Sequence, residues 1–206
     1  YSNKTSIQSG TLRLCEPQAV FVNSGFEQPT NLPRKIFGNW DSGIWNYLAS
    51  DGVAGGWTMN GNAGISSNNS AWVQTAPEGV QVGFVQNDSY IQQTVAIPRA
   101  GIYQLSFKAS NRPGMGADRV EIQVDGSAVA AWETNVFANS AAFKLYTTNI
   151  AFSLGSRVIR FAGSSPDGAD RATAIDDVRL VWADSIVPGS LPVSADVDVA
   201  AGAVLD

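Results

Sequence analysis

Hydrophobic and polar residues alternate along much of the chain with the period of a β-strand. Between residues 103 and 110, apolar side chains at odd positions alternate with mostly polar ones at even positions, and residues 120–125 repeat the pattern. A period of two places the apolar side chains on one face of a strand. Asp125-Gly126 ends the second run and is typical of a tight hairpin turn. Further β-rich runs lie at residues 91–97, 158–161 and 178–182.

No stretch long enough for an α-helix combines a period of 3.6 with capping residues at both ends. Short strands separated by turn residues, in a chain of 206 residues, are typical of one all-β domain or at most two small ones. The pattern therefore predicts a β-sandwich.

One region departs from this pattern. Residues 28–79 are rich in Gly, Asn, Ser and Pro, and yet they carry four of the six tryptophans. Tryptophan rings in a folded protein either pack against other residues or contact a ligand. These rings therefore cover the open ends of the sandwich or form a platform for a ligand. The four tryptophans are Trp40, Trp45, Trp57 and Trp72.

The composition excludes several classes of function. Charged residues make up 15% of the chain and the net charge is −5, which argues against a coiled coil, a disordered acidic tail and a nucleic-acid binder. The chain has no histidine, so it contains neither a Ser-His-Asp triad nor a His-ligated metal site. The single cysteine, Cys15, cannot form an internal disulfide. No apolar run reaches about 18 residues, and we expect no membrane insertion.

Three motifs carry a resemblance to a known fold. Asn23–Pro29 reads Asn-Ser-Gly-Phe-Glu-Gln-Pro, residues 82–95 contain Val-Gly-Phe-Val-Gln and Ile-Gln-Gln-Thr-Val, and residues 174–180 read Ala-Ile-Asp-Asp-Val-Arg-Leu. Because of these motifs, residues 20–182 resemble the galactose-binding-like jelly rolls. Many carbohydrate-binding modules have this fold. The resemblance implies a jelly-roll β-sandwich that binds a polysaccharide or oligosaccharide.

The same resemblance implies a structural calcium ion. In such modules an early Glu and an Asp of the last strand hold the ion; here these are Glu27 and Asp176. Strand alternation independently places Asp176 on the inward face with Val178, where a carboxylate is costly unless it is paired or metal-bound. Alternatively, Asp176 caps a turn or pairs with Arg171.

A sugar site needs polar groups beside an aromatic ring. We expect Trp45 and Trp72 to form the platform, and Arg112, before the Pro113-Gly114 turn, to bind hydroxyls or a uronate. The alternative is that the polar residues are solvated, because antiparallel strands commonly expose one face. The other candidate ligand-binding residues are Gln86, Gln93, Lys108, Asn111, Glu121 and Gln123.

A catalytic role has weak support in the sequence. Glycoside hydrolysis needs two carboxyl groups that flank a cleft. The acidic pairs Asp118 with Glu121 and Asp167 with Asp170 have spacings that are common on surface loops. We therefore expect a domain that is not an enzyme.

The two ends of the chain differ from the middle. Residues 1–14 and 191–206 resemble the closing and opening halves of autotransporter-associated β-strand repeats. The predicted organisation is a repeat end at 1–14, a sandwich at 15–185 and the start of the next repeat at 186–206. This organisation implies a globular domain inserted between rungs of a β-solenoid. Together with the jelly-roll resemblance, we expect a non-catalytic carbohydrate-binding module of a larger bacterial surface or secreted protein, and we expect it to be monomeric. The alternative is a structural or adhesive insert in a β-solenoid, and solvent exposure of Trp45 or Trp72 would distinguish the two.

Overall fold

The structure is a computed structural model. It describes residues 5–7, 11–12, 18–49, 53–73, 75–115, 119–133, 142–165, 169–183, 197–199 and 204–205. Cys15, Asp118 and Asp167 lie outside the described residues.

Strands account for the regular structure, and the described ranges contain no α-helix. The strands are β1 (Thr5–Ile7), β2 (Thr11–Leu12), β3 (Arg34–Phe37), β4 (Trp40–Tyr47), β5 (Val53–Ala54), β6 (Trp57–Asn60), β7 (Gly64–Ser67), β8 (Gln81–Gln86), β9 (Tyr90–Ile97), β10 (Gly101–Asn111), β11 (Arg119–Val124), β12 (Ser127–Glu133), β13 (Lys144–Phe152), β14 (Gly155–Ser164), β15 (Ala172–Trp182), β16 (Val197–Val199) and β17 (Val204–Leu205).

Two antiparallel sheets pack face to face. One has seven strands in the order β13-β10-β15-β8-β7-β4-β3, and the other has six in the order β12-β11-β14-β9-β6-β5. This arrangement confirms the predicted all-β jelly-roll sandwich.

The core lies between the two sheets, where the alternation predicts it. Tyr103, Leu105 and Phe107 of β10 are buried, and their polar neighbours are not. The Phe107 ring meets Phe161 of the opposite sheet with ring centroids 5.1 Å apart. Trp57 is fully buried and stacks on Phe26 at 4.9 Å. Local alternation therefore predicts the core face correctly.

The predicted hairpin joins β11 and β12. Asp125 and Gly126 have φ angles of 50° and 84°, so both central residues adopt the left-handed conformation that this tight turn requires.

The tryptophan-rich region is not an irregular loop, because five strands lie within it. β3, β4 and β7 belong to the seven-stranded sheet, whereas β5 and β6 extend the six-stranded sheet. The strands are short, and turn residues between them hide their period in the sequence.

Near the two ends of the chain, strands pair in parallel. Thr5 of β1 is the register partner of Val197 of β16, and Thr11 of β2 that of Val204 of β17. The domain boundaries at 1–14, 15–185 and 186–206 remain a prediction.

Candidate functional site

The candidate site is built on a loop, residues 68–73, that lies against β4. The Ser70 hydroxyl accepts the backbone N–H groups of Trp72 and Val73 at 3.1 and 3.2 Å. Gly43 of β4 has a φ of +83°, and a Cβ atom there would lie 2.6 Å from the Cα of Ser70. The loop can approach this closely only because residue 43 is a glycine.

Arg112 follows β10 directly and is fixed from several sides. Its Nε donates to the Ala71 carbonyl at 3.3 Å, and its Nη1 lies 3.1 and 3.0 Å from the two carboxylate oxygens of Asp170. The guanidinium carbon lies 4.4 Å from the centroid of the Trp72 ring. Only 12% of the side chain is exposed, so the guanidinium is held in one orientation.

An aromatic cluster supports this arginine from beneath. Trp72 stacks on Phe84 at 4.1 Å, and the Trp45 ring meets Trp72 edge to face at 5.2 Å. The Tyr47 hydroxyl donates a hydrogen bond to the side-chain amide oxygen of Gln86. The Nε2 of the same amide donates to the carboxylate of Asp170. Burial raises the pKa of Tyr47, so its hydroxyl stays protonated at neutral pH.

A cleft of about 400 Å³ opens beside Arg112. Trp40 at its rim is 53% exposed and stacks on Phe37 at 5.9 Å. A hydrogen bond from Arg34 is the main reason that the pKa of Asp41 lies below its usual value. The cleft is lined by Trp40, Asp41, Asn69, Ser70, Ala71, Arg112, Pro113 and Met115.

The two rings expected to form a platform do not present a face to solvent. Trp45 is 8% exposed and Trp72 is 3% exposed. The Nζ atom of Lys35 lies 5.5 Å from the centre of the Trp45 ring, and Trp72 is enclosed between Phe84 and Arg112. The expectation for these two rings is therefore corrected: they support the site.

The aromatic ring that lines the cleft is Trp40, which the sequence reasoning did not select. The stretch Phe37-Gly38-Asn39-Trp40 contained a usable signal. A two-residue turn flanked by aromatic residues places both rings at the end of a hairpin. Side chains at a hairpin end are less covered than those in the middle of a sheet.

The structure brings some of the other predicted residues to this site. Gln86 is buried and contacts Asp170, as described above. Asn111 is 6% exposed and directly precedes Arg112 on β10.

Four predicted residues have other surroundings. Both ends of the Gln93 amide bind the Val22 backbone, at 2.6 and 2.9 Å, which fixes the chain before the first motif. Lys108 pairs with Asp177 at 3.0 Å. Gln123 donates to Glu121 at 2.8 Å, and both lie on β11 of the six-stranded sheet. None of the four lines the cleft.

The predicted calcium ligands lie on either side of one segment of chain. The Glu27 carboxylate accepts the backbone N–H groups of Val80 and Gln81, both at 2.9 Å. The Asp176 carboxylate accepts those of Glu78 and Asp177 at 2.9 and 2.8 Å. Residues 78–81 therefore connect the two carboxylates.

Asp176 is fully buried, and it makes no salt bridge with a described residue. Burial raises its pKa to about 7, and the neighbouring carboxylates of Glu78 and Asp177 add to the effect. Its oxygens suit calcium, which prefers carboxylate and carbonyl ligands. In the described part of the chain, however, no three acidic, His or Cys side chains are grouped to hold a metal. An ion at Asp176 and Glu27 would need backbone carbonyl oxygens.

The two packed antiparallel sheets define the class of protein as an all-β jelly-roll sandwich. Residues 18–181 match the family model described as HpiC1-like, HpiC1 cyclase. The chain therefore belongs to the HpiC1-like family. No curated protein matches the chain.

Solved structures agree with this fold. The Stig cyclase Fisc from Fischerella sp. TAU, in complex with (3Z)-3-(1-methyl-2-pyrrolidinylidene)-3H-indole, is 19% identical over 80% of this chain and 96% of its own, with a TM-score of 0.57. A Fischerella sp. TAU cyclase in complex with 4-(1H-indol-3-yl)butan-2-one is 21% identical over 79% and 96%, with a TM-score of 0.53. TmCBM61 in complex with β-1,4-galactotriose is 18% identical over 81% and 99%, with a TM-score of 0.51. The resemblance to carbohydrate-binding modules is confirmed for the fold.

The family membership corrects the prediction that the domain is not an enzyme. The family model is described as a cyclase, and a cyclase is an enzyme. Two of the similar solved structures are also cyclases. The prediction was wrong because it weighed hydrolysis by paired carboxylates, a Ser-His-Asp triad and a His-ligated metal site, but not the cyclisation of a small molecule.

None of these comparisons supports the resemblance of the ends to autotransporter-associated repeats. Within the ranges that the structure describes, no helix has the length and apolar character needed to cross a membrane.

Proposed function

We propose that this domain binds a carbohydrate ring in the cleft beside Arg112. The observation that carries the proposal is an exposed aromatic ring, Trp40, at the rim of a cleft that also contains a fixed guanidinium. An aromatic face takes the apolar side of a pyranose, while polar groups bind its hydroxyls.

The lining favours a hydroxylated ligand over a purely apolar one. Of its eight residues, Asp41, Asn69, Ser70 and Arg112 are polar and the other four are apolar. A fully apolar ligand would remove these polar groups from water without replacing their hydrogen bonds, which is costly.

A second candidate is the cyclisation of a small molecule that carries an aromatic ring. Family membership favours it, and the two Fischerella structures named above contain indole compounds. An indole would stack on Trp40 as a sugar does. The two candidates therefore share the cleft and differ in the polar contacts that the ligand requires.

Affinity electrophoresis through gels that contain plant, algal or bacterial polysaccharides tests the first candidate. We expect at least one polymer to retard the chain and Trp40→Ala to abolish the retardation. Leu145→Ala is the matched control, because Leu145 is 63% exposed on β13 and does not line the cleft. Retardation that survives Trp40→Ala would place the sugar elsewhere.

Binding of indole compounds, measured by quenching of tryptophan fluorescence and followed by mass spectrometry for a cyclised product, tests the second candidate. If the chain binds neither ligand class, the structural or adhesive insert would be favoured.

Calcium binding by Glu27 and Asp176 is a further part of the proposal, and the ion would be structural. The buried, uncompensated carboxylate of Asp176 supports it. If it is correct, EDTA lowers the melting temperature and added calcium restores it, while Asp176→Asn makes the protein insensitive to both. An unchanged melting temperature in EDTA would contradict it.

The proposed role also fits a monomeric protein at an extracellular or bacterial cell-surface location. Sedimentation velocity measures the oligomeric state of the chain. Fractionation of the source cells would show where the protein resides.

A further inference from the structure

Two charged side chains line the cleft, and each is already paired with a residue outside the lining. Arg112 is bound by both carboxylate oxygens of Asp170, at 3.1 and 3.0 Å. Asp41 accepts a hydrogen bond from Arg34 and another from the backbone N–H of Gly43 at 3.0 Å. The charge of the cleft is therefore compensated on both sides before any ligand enters.

A carboxylate on the ligand would meet two obstacles. It would compete with Asp170, which already binds Arg112 through both oxygens and is itself held by Gln86. It would also find no second cation among the lining residues, because the other charged side chain there is the acid Asp41. An anionic ligand therefore gains less from Arg112 than it would from an unpaired arginine.

Hydrogen-bonding capacity for a neutral ligand remains. Within the described ranges, Nη2 of Arg112 donates to no protein acceptor. The Asp41 carboxylate accepts two hydrogen bonds and has lone pairs for more. A hydroxyl group both donates and accepts, so neighbouring hydroxyls suit a site that offers a guanidinium donor and a carboxylate acceptor.

We infer that the cleft selects a neutral sugar ring with adjacent free hydroxyls and discriminates against uronic acids through the Arg112–Asp170 ion pair. This inference rests on the proposed carbohydrate-binding function. It makes Asp170 a specificity-determining residue, although Asp170 does not itself line the cleft. The sequence led us to expect that Arg112 binds either sugar hydroxyls or a uronate. The inference keeps the hydroxyls as ligands of Arg112 and excludes the uronate.

The test uses matched polymers that differ only at C6, where one carries a hydroxymethyl group and the other a carboxylate. β-1,4-Mannan with mannuronan and β-1,4-glucan with glucuronan are two such pairs, offered as soluble oligosaccharides in calorimetric titrations. We expect at least ~10-fold tighter binding of a neutral member, corresponding to about 1.4 kcal/mol. Asp170→Asn frees Arg112 and should narrow or reverse this ratio.

Asp125→Asn is the matched control for net charge. Asp125 pairs with Arg157 at 3.2 Å on the β11–β12 hairpin, away from the cleft, and this variant should leave the ratio unchanged. Titrations of the unmodified chain at low and high salt give a readout that depends on no variant. The affinity for a neutral ligand should change less than twofold with salt, because no new ion pair forms.

Preference of the unmodified chain for the uronic acid, or an unchanged ratio in Asp170→Asn, would overturn the inference and leave carbohydrate binding intact. Failure to bind either member of any pair, together with no retardation in the polysaccharide gels, would overturn the proposed function itself.

Discussion

Two acidic residues, Asp170 and Asp176, lie on or next to the neighbouring strands β10 and β15. They differ in how their negative charge is compensated. Asp170, just before β15, is exposed, and both of its carboxylate oxygens accept from Nη1 of Arg112, just after β10. Asp176, within β15, is fully buried and has only backbone N–H donors among the interactions described above. Lys108, the register partner of Asp176, pairs instead with Asp177.

The difference shows what each carboxylate can do. A paired carboxylate fixes an arginine and sets which ligands that arginine accepts. As the pH rises, a buried carboxyl group with no cation beside it either keeps its proton or binds a positive ion, because its ionised form is poorly solvated. The first arrangement suits recognition and the second suits coupling of the fold to protons or to a metal.

The strongest way to break the paired site is to remove the ring beneath Arg112. Trp72→Ala should cost about 3–5 kcal/mol in the free energy of unfolding, because it empties a buried position between Phe84 and Arg112. Urea denaturation measures the loss. Trp40→Ala is the control, with an expected cost below about 0.5 kcal/mol at an exposed position. Equal losses for the two variants would contradict the assignment of one ring to support and the other to binding.

The buried site is tested by pH. In EDTA, a pKa of about 7 for Asp176 means that the folded state holds a proton which the unfolded chain releases near 3.8. Stability should therefore fall as the pH rises from about 4 to about 7, by an amount on the order of 3 kcal/mol.

Asp176→Asn should flatten this profile, and Asp125→Asn should not. Urea midpoints across the same pH range provide the measurement. A pH profile of the unmodified chain that matches the profile of Asp176→Asn would show that Asp176 is ionised in the fold. Calcium, if it binds, should remove most of the decline.

Arg112→Ala tests the paired site by removing the cation that compensates Asp170. It removes the bond to Ala71, the contact with Trp72 and the pair with Asp170, which together should contribute about 1–2 kcal/mol to stability. Arg112→Lys keeps the charge but lacks the separate Nε donor to Ala71 and the planar group over Trp72, so it should recover less than half of the loss. Full recovery by lysine would mean that charge alone matters.

The smallest effect is expected for Lys108→Met. Lys108 is partly exposed, and Arg179 also binds Asp177, at 2.7 Å. Loss of one exposed partner should cost roughly 0.2–1 kcal/mol, and less at high salt. Thermal unfolding at two salt concentrations checks it. A larger loss that is independent of salt would indicate that Lys108 also compensates Asp176.

The sequence predicts those parts of the fold that depend on near neighbours. The inward faces of β9, β10 and β11 and the Asp125-Gly126 turn follow from alternation and from a dipeptide. The tryptophan-rich strands were missed, because β6 pairs with β9 and β4 with β7 across long separations in sequence.

The candidate site shows the same limit. Arg112 could be selected because it stands before a Pro-Gly turn, and it does line the cleft. Its pairing with Asp170 joins residues that are far apart along the chain, so no local pattern reveals it. The reversed roles of Trp40 and Trp72 have a similar cause: whether a ring is covered depends on the strands that pack against it.

The parallel pairing of β1 with β16 and of β2 with β17 has a consequence for how this domain can be joined to other sequence. In each of these two pairs, a strand near the start of the chain and a strand near its end lie side by side and run in the same direction. A domain with this geometry can be inserted between two parallel strands of another polypeptide, because the inserted chain enters and leaves in the same direction. Such an insertion needs no long connectors.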